Sequence, residues 1–350
     1  MKKRNLFDHN ISYDAFRRAS YLLEQITELI GLKVSGDGSL GYTNLNGSTN
    51  ISNQINITDY LPLDNVTENI INSITVIACM LGFMGNAMVI RLLGFLIKRN
   101  PFTTYILNLA IADFGVLFSL LSSAALGIAL DVYKMFYISF ILFVELFFFT
   151  YSTGQFLLAA ISMDRCVAVL FPLWHRCHRP PHLSTIVCAL IWIFSFLLAA
   201  IHFTLFMNES FRKSLLQYMF VLNAFFCTPL MVISAPTLFL KVFCKTQQNH
   251  RGKLATVIVL TLLFFLVFAF PLNALYIIIY YYGLHPRLMI FGFMCASLNS
   301  SINPVIYFLV GKRQKKGQTR VSMKAALQRV FKDEEDSMEE PKSSTESQLL

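Results

Sequence analysis

Five ionisable side chains stand inside otherwise apolar stretches of this 350-residue chain or at the end of one: Asp113, Glu145 and His202 inside, and the adjacent pair Asp164-Arg165 at an end. Amides accompany them at Asn86, Asn299 and Asn303. Two carboxylates and an imidazole are the raw material of general acid–base work or metal ligation. The spacing gathers none of them, however: Asp113, Glu145 and His202 fall in three separate stretches, and there is no Gly-x-Ser-x-Gly or His-Glu-x-x-His run. His175, Cys177, His178 and His182 lie closer together, but Pro180-Pro181 breaks any helical spacing between them, so they are read as loop residues and not as metal ligands. The chemistry left is electrostatic. Glu145 can pair with a ligand cation, Arg165 is a permanently charged guanidinium next to its own carboxylate, and the amides can hold helices together. No catalytic group or cofactor is expected.

The elements that carry these residues follow from the distribution of charge. Only 14% of residues are charged, against roughly 25% in an average soluble domain. Residues 1–69 hold 14 of the charges, 311–350 hold 16, and the 241 residues between hold 19. That middle section contains seven apolar stretches, at 70–90, 102–130, 135–163, 183–207, 214–240, 254–284 and 288–310, numbered here as spans one to seven. Each is long enough for a helix to cross a bilayer, which takes about 20 residues. Helices keep every backbone polar group satisfied in lipid, whereas a transmembrane barrel would show alternating segments of about ten residues. The fold class predicted is therefore an all-α membrane protein, a seven-transmembrane helix bundle. An ionisable group at the centre of such a helix costs about 3 kcal/mol, so each embedded one is a functional candidate. A channel or transporter would need rings of charge or repeated halves, and neither is visible.

Basic residues set the topology. Lys98, Arg99, Arg176, Arg179, Lys245, Arg251, Lys253, Lys312, Arg313, Lys315 and Lys316 flank one side of the spans, and Lys134, Arg212, Lys213 and Arg287 the other. The richer side is cytoplasmic by the positive-inside rule, which puts the N-terminus outside and the C-terminus inside a multi-pass plasma-membrane protein. The glycosylation sequons agree, with Asn10, Asn46, Asn50, Asn56 and Asn65 before span one and Asn208 between spans four and five. Four regions result: a glycosylated, flexible extracellular segment 1–69 without a signal-peptide core, a receptor-like domain 70–310, an amphipathic cytoplasmic helix 311–332, and a disordered acidic tail 333–350. The basic run 312–316 abuts a span, so it reads as a bilayer-surface patch and not as a nucleic-acid site.

Read in order, the polar residues resemble the rhodopsin-like (class A) G-protein-coupled receptors. Asn86, the segment Asn108 to Asp113, Asp164-Arg165-Cys166, Trp192, Pro271 and Asn303-Pro304-x-x-Tyr307 carry the likeness. More narrowly, the chain is similar to the Mas and Mas-related receptor family through Arg99-Asn100-Pro101-Phe102-Thr103, Trp174-His175-Arg176-Cys177-His178-Arg179-Pro180 and Tyr307-Phe308-Leu309-Val310-Gly311. The resemblance covers about 70–335. It implies a receptor that binds an extracellular peptide or cationic small molecule and activates a heterotrimeric G protein, with Asp164, Arg165, Pro271, Asn303, Pro304 and Tyr307 as the coupling residues. Asn86, Asp113, Asn299 and Asn303 would form the polar bundle core, with Asp113 a candidate Na⁺ ligand. Ser343, Ser344, Thr345 and Ser347 are candidate kinase sites for arrestin recruitment.

Departures from that pattern are as informative. Phe140 replaces the cysteine expected at the outer end of span three, and 208–213 contains none, so an extracellular disulfide is not expected. Ala269 replaces the tryptophan usual two residues before the span-six proline, leaving Phe268 and Phe270 as its substitutes. Gly154 stands where a sodium pocket would have serine. Arg251 replaces the acid that locks the span-three arginine in many relatives, which implies appreciable ligand-independent activity. Phe147 occupies the aminergic carboxylate position, so the ligand-binding candidates are Glu145, Tyr151, His202, Asn273 and Tyr276.

Overall fold

The computed structural model describes residues 65–97, 99–130, 137–180, 182–207, 221–234, 260, 263–264, 267–268, 270–282, 288–311 and 323–328. Among these every regular element is helical. Helix α1 runs Asn65–Arg91 and continues as a π-helical turn Leu92–Leu96. It is followed by α2 (Pro101–Leu130), α3 (Tyr137–Leu170), the short α4 (Pro172–Cys177) and α5 (Leu183–Met207). Span five is described as α6 over 221–234, span six as α7 (Phe270–Tyr282), and span seven as α8 (Met289–Gly311). A last helix, α9, covers 323–328 inside the amphipathic segment, with Ala326 and Leu327 buried and Lys324 exposed. Among the described residues, five helices are long and apolar enough to cross a membrane. The sequons at Asn10, Asn46, Asn50, Asn56 and Asn208, the residues Arg251 and Ala269, and the tail lie outside the described residues.

Two helix limits differ from the apolar runs. Helix α1 starts at Asn65, ahead of residue 70, and α3 continues past residue 163 to Leu170. A membrane boundary does not end a helix; a residue that cannot continue one does, and Pro172 supplies it. Asp164 and Arg165 are consequently held on a rigid helix and not on a loop. The start of α2 is set just as locally. Pro101 occupies the first helical position, where its missing N–H is no loss. Asn100 Oδ1 accepts from the Thr103 backbone N–H at 2.7 Å, and Thr103 Oγ1 accepts from the Asn100 N–H at 2.8 Å. Such reciprocal caps are worth roughly 1 kcal/mol.

Prolines inside spans leave carbonyls without a helical donor, and the bundle answers each differently. Pro229 follows the π-helical turn Asn223–Cys227 of α6, whose wider ring makes room for the proline. Pro304 in α8 leaves the Ser300 carbonyl without its i+4 partner, and Asn86 of α1 donates to that oxygen at 2.9 Å. The most extensive packing joins α2 to α3 and α1 to α8. At the second seam Ser301 Oγ lies where a side chain on Gly82 would be, and it donates to the Ala78 carbonyl at 2.8 Å. Small residues let two backbones approach in lipid, where apolar burial gives no drive to associate. Most of α3 is buried by its neighbours, whereas α5 turns Ile186, Leu190, Ile193, Phe196 and Leu197 outward to the lipid. The central helix α3 carries Glu145, Tyr151, Asp164 and Arg165 among the candidate residues.

Candidate functional site

The polar side chains form four levels along α3. At the C-terminal end of α3 Asp164 sits between two guanidinium groups, Arg179 Nη2 at 2.8 Å and Arg165 Nη2 at 3.1 Å, with His175 Nε2 at 3.8 Å. Arg179 also donates to Ser184 Oγ at 2.7 Å, which ties the loop after α4 to the start of α5. The Arg165 guanidinium carbon lies 4.2 Å from the centre of the buried Phe102 ring. A cation over an aromatic face gains about 0.5–2 kcal/mol, more as water is excluded. Leu170 and Phe171, which follow at the end of α3, are exposed.

At the next level Asn303 Nδ2 donates to Asp113 Oδ2 at 2.7 Å, joining α8 to α2. Asn86 binds Ser300 and the Gly82 carbonyl, Asn299 is buried one residue before Ser300, and Tyr307 is buried below. The four residues expected to form the polar core therefore lie together. For a sodium ion the donor set is sparse. The Asp113 carboxylate already accepts an amide N–H, and Gly154 brings no hydroxyl. Trp192 Nε1 donates to Asn108 Oδ1 at 2.9 Å and fastens α5 to α2.

The third level was not legible from charge. Asn223 of α6 donates to Ser152 Oγ at 3.1 Å, and Asn273 of α7 donates to Gln155 Oε1 at 3.1 Å. All four are buried. Among the ligand candidates, Asn273 thus belongs to a buried network, and Tyr151 is buried one turn before Gln155. The other members, Gln155, Ser152 and Asn223, are neutral, so a search for ionisable residues in the spans passes over them; an amide at membrane depth was the available signal. Of the two phenylalanines expected to replace the missing indole, Phe270 is turned outward and exposed, while Phe268 stacks on Phe264 at 5.7 Å. Exposure to lipid removes Phe270 from that role.

At the fourth level, toward the start of α3, Glu145 Oε1 lies 2.7 Å from His202 Nδ1, so the acid faces α5. Its second oxygen, Oε2, is buried and has no hydrogen-bond partner among the described residues. His202 meets the edge of Phe148 at 6.0 Å, and Phe147 packs on Phe148, Tyr151 and Phe293. Tyr276 lines the same aromatic cluster from α7. No group of three or more His, Cys, Asp or Glu with metal-binding geometry occurs among the described residues.

Residues 85–307 match the family described as 7 transmembrane receptor (rhodopsin family). The chain is 37% identical over 263 residues to the rat protein named Proto-oncogene Mas, covering 73% of this chain and 81% of that one. It is 37% identical over 278 residues to the human Mas-related G-protein coupled receptor member D, covering 76% and 86%. The rat member H is 38% identical over 280 residues, covering 77% and 86%.

Proposed function

We propose, from the premise that this chain belongs to the rhodopsin-like family of seven-transmembrane receptors and within it to the Mas-related G-protein-coupled receptors, that it binds an extracellular peptide or small cation and activates heterotrimeric G proteins. It is a multi-pass membrane receptor and not an enzyme. The observation that carries the ligand class is the second oxygen of Glu145. A buried carboxylate oxygen without a donor is costly, and an arginine, lysine or amine N–H from outside would satisfy it. His202 holds the first oxygen and so fixes which way the second one points. The surrounding Phe147, Phe148 and Tyr276 suit the apolar part of an amphiphilic cation.

Activation in this reading is a shift of populations and not a push. Arg165 rests on Phe102 and beside Asp164. When span six swings at Pro271, the groove edged by Arg165, Leu170 and Phe171 opens to a helix of the G-protein α-subunit. The orientation follows from the basic loops, with the glycosylated 1–69 segment outside and the tail, with its arrestin-recruiting serines, inside. The test is nucleotide exchange on purified heterotrimers, using membranes bearing the receptor and a panel of cationic peptides and amphiphiles. Exchange that rises with at least one cation supports the assignment. Silence toward every cation together with a response to an anionic or neutral ligand would overturn the ligand class.

A further inference from the structure

The helix that must move is tied to the central helix by a pair of amides. Asn273, two residues after Pro271, donates to Gln155 Oε1 at 3.1 Å, and the two side chains are 0% and 2% exposed. This bond leaves Gln155 Nε2 and Asn273 Oδ1 buried without hydrogen-bond partners among the described residues. Those two atoms are the donor and the acceptor of the reverse bond, Gln155 N–H to Asn273 oxygen. A small shift of span six can therefore exchange one hydrogen bond for the other with the number unchanged. Two arrangements of nearly equal standing are what a switching element needs.

The pair also has a contiguous connection to the outer acid. Glu145 holds His202 at 2.7 Å, His202 meets Phe148 at 6.0 Å, Phe148 meets Phe147 at 5.4 Å, and Phe147 stacks on Tyr151 at 5.5 Å. Gln155 follows Tyr151 by one helical turn of α3, and both are buried. A ligand that rearranges the Glu145–His202 pair would shift rings that end one turn from the amide of Gln155.

We propose that the Gln155–Asn273 amide pair is the element through which the outer site sets the position of span six, with Gln155 and Asn273 as positioning residues. It would stand in for the indole that Ala269 lacks. The inference rests on the receptor reading, because it takes the movement of span six as the output.

The experiment measures that movement directly and needs no ligand. In the full-length receptor in lipid nanodiscs, with Cys177 and Cys244 replaced by Ser, spin labels at Leu173 and Lys253 report the distance between the cytoplasmic ends of spans three and six. Gln155→Met and Asn273→Leu, both close in volume to the native residues, are each expected to raise the ratio of long-distance to short-distance population about threefold or more. The double variant should go no further than either single, because the two residues act as one unit. The exchanged pair Q155N/N273Q, which keeps two amides and their combined length, should restore the native distribution. Unchanged distances in the single variants, or effects that add as for independent sites, overturn the proposal. If the Met and Leu variants do not fold, Gln155→Asn alone must shift the distribution and Q155N/N273Q must reverse it, or the proposal fails. Absence of nucleotide exchange in every variant would count against the receptor reading, and the spin distances would still decide the role of the pair.

Discussion

Asn303 Nδ2 donates to Asp113 Oδ2 across 2.7 Å, and this bond joins spans seven and two at the middle of the bundle. Both residues are buried, so neither can turn to water for a replacement partner. Asn303→Ala is expected to lower stability by roughly 1–3 kcal/mol, the cost of leaving a buried acceptor short of a donor. Thermal unfolding of the detergent-solubilised receptor checks it, and an unchanged midpoint would show that the bond is dispensable. Asp113→Asn, which keeps one acceptor oxygen for Asn303, should lose less.

Phe102 and Arg165 yield a prediction about resting activity. If the ring helps to hold the guanidinium, Phe102→Leu should raise ligand-independent nucleotide exchange by about 2- to 5-fold, in line with a cation–π contribution near 0.5–1 kcal/mol. Phe102→Trp should not, because it keeps an aromatic face under the charge. Basal GTPγS uptake, normalised to surface receptor, distinguishes them; equal values for Leu and Trp would remove the ring from the latch.

Glu145→Gln should weaken cationic agonists by about 10- to 100-fold, the range of one charge-assisted hydrogen bond, and leave uncharged ligands unaffected. Dose–response curves on matched expression levels give the ratio. A parallel loss for both ligand types would mean that Glu145 supports α3 against α5 and does not meet the ligand.

Trp192 and Asn108 should behave as one unit. Trp192→Phe keeps the ring packing on Phe149, which lies 5.4 Å away, but loses the 2.9 Å bond to Asn108. A loss near 1 kcal/mol is expected from W192F and from N108A alike, with the double variant little worse than either. Additive losses in thermal unfolding would disprove the pairing.

Much of the fold was legible because lipid imposes strong rules. Apolar runs of about 20 residues must be helices. Even local details can be read in this way. Pro304 has no N–H, so the Ser300 carbonyl needs another donor, and Asn86 fills that need. Periodicity and charge said less about the ends. The α3 helix passes beyond its apolar run and stops at Phe171-Pro172, carrying Asp164 and Arg165 with it. The site was legible where it is charged and silent where it is neutral. Ser152 and Gln155 look like unremarkable span residues until α6 and α7 bring Asn223 and Asn273 to them.

The residues alone determined the solvent of this protein, its helices and the set of polar groups that could act, because burying a backbone or a charge in hydrocarbon has the same cost wherever the chain places it. Partners were decided only by the tertiary structure. Asp164 has a neighbouring arginine in the chain, but Arg179 is brought to it by the turn after α4, and Glu145 finds His202 on another helix. Hydrogen bonds act over about 3 Å, and residues that far apart in space lie 57 or 118 positions apart in sequence at Glu145–His202 and Gln155–Asn273. No local pattern encodes such a distance; the packing of helices around α3 does.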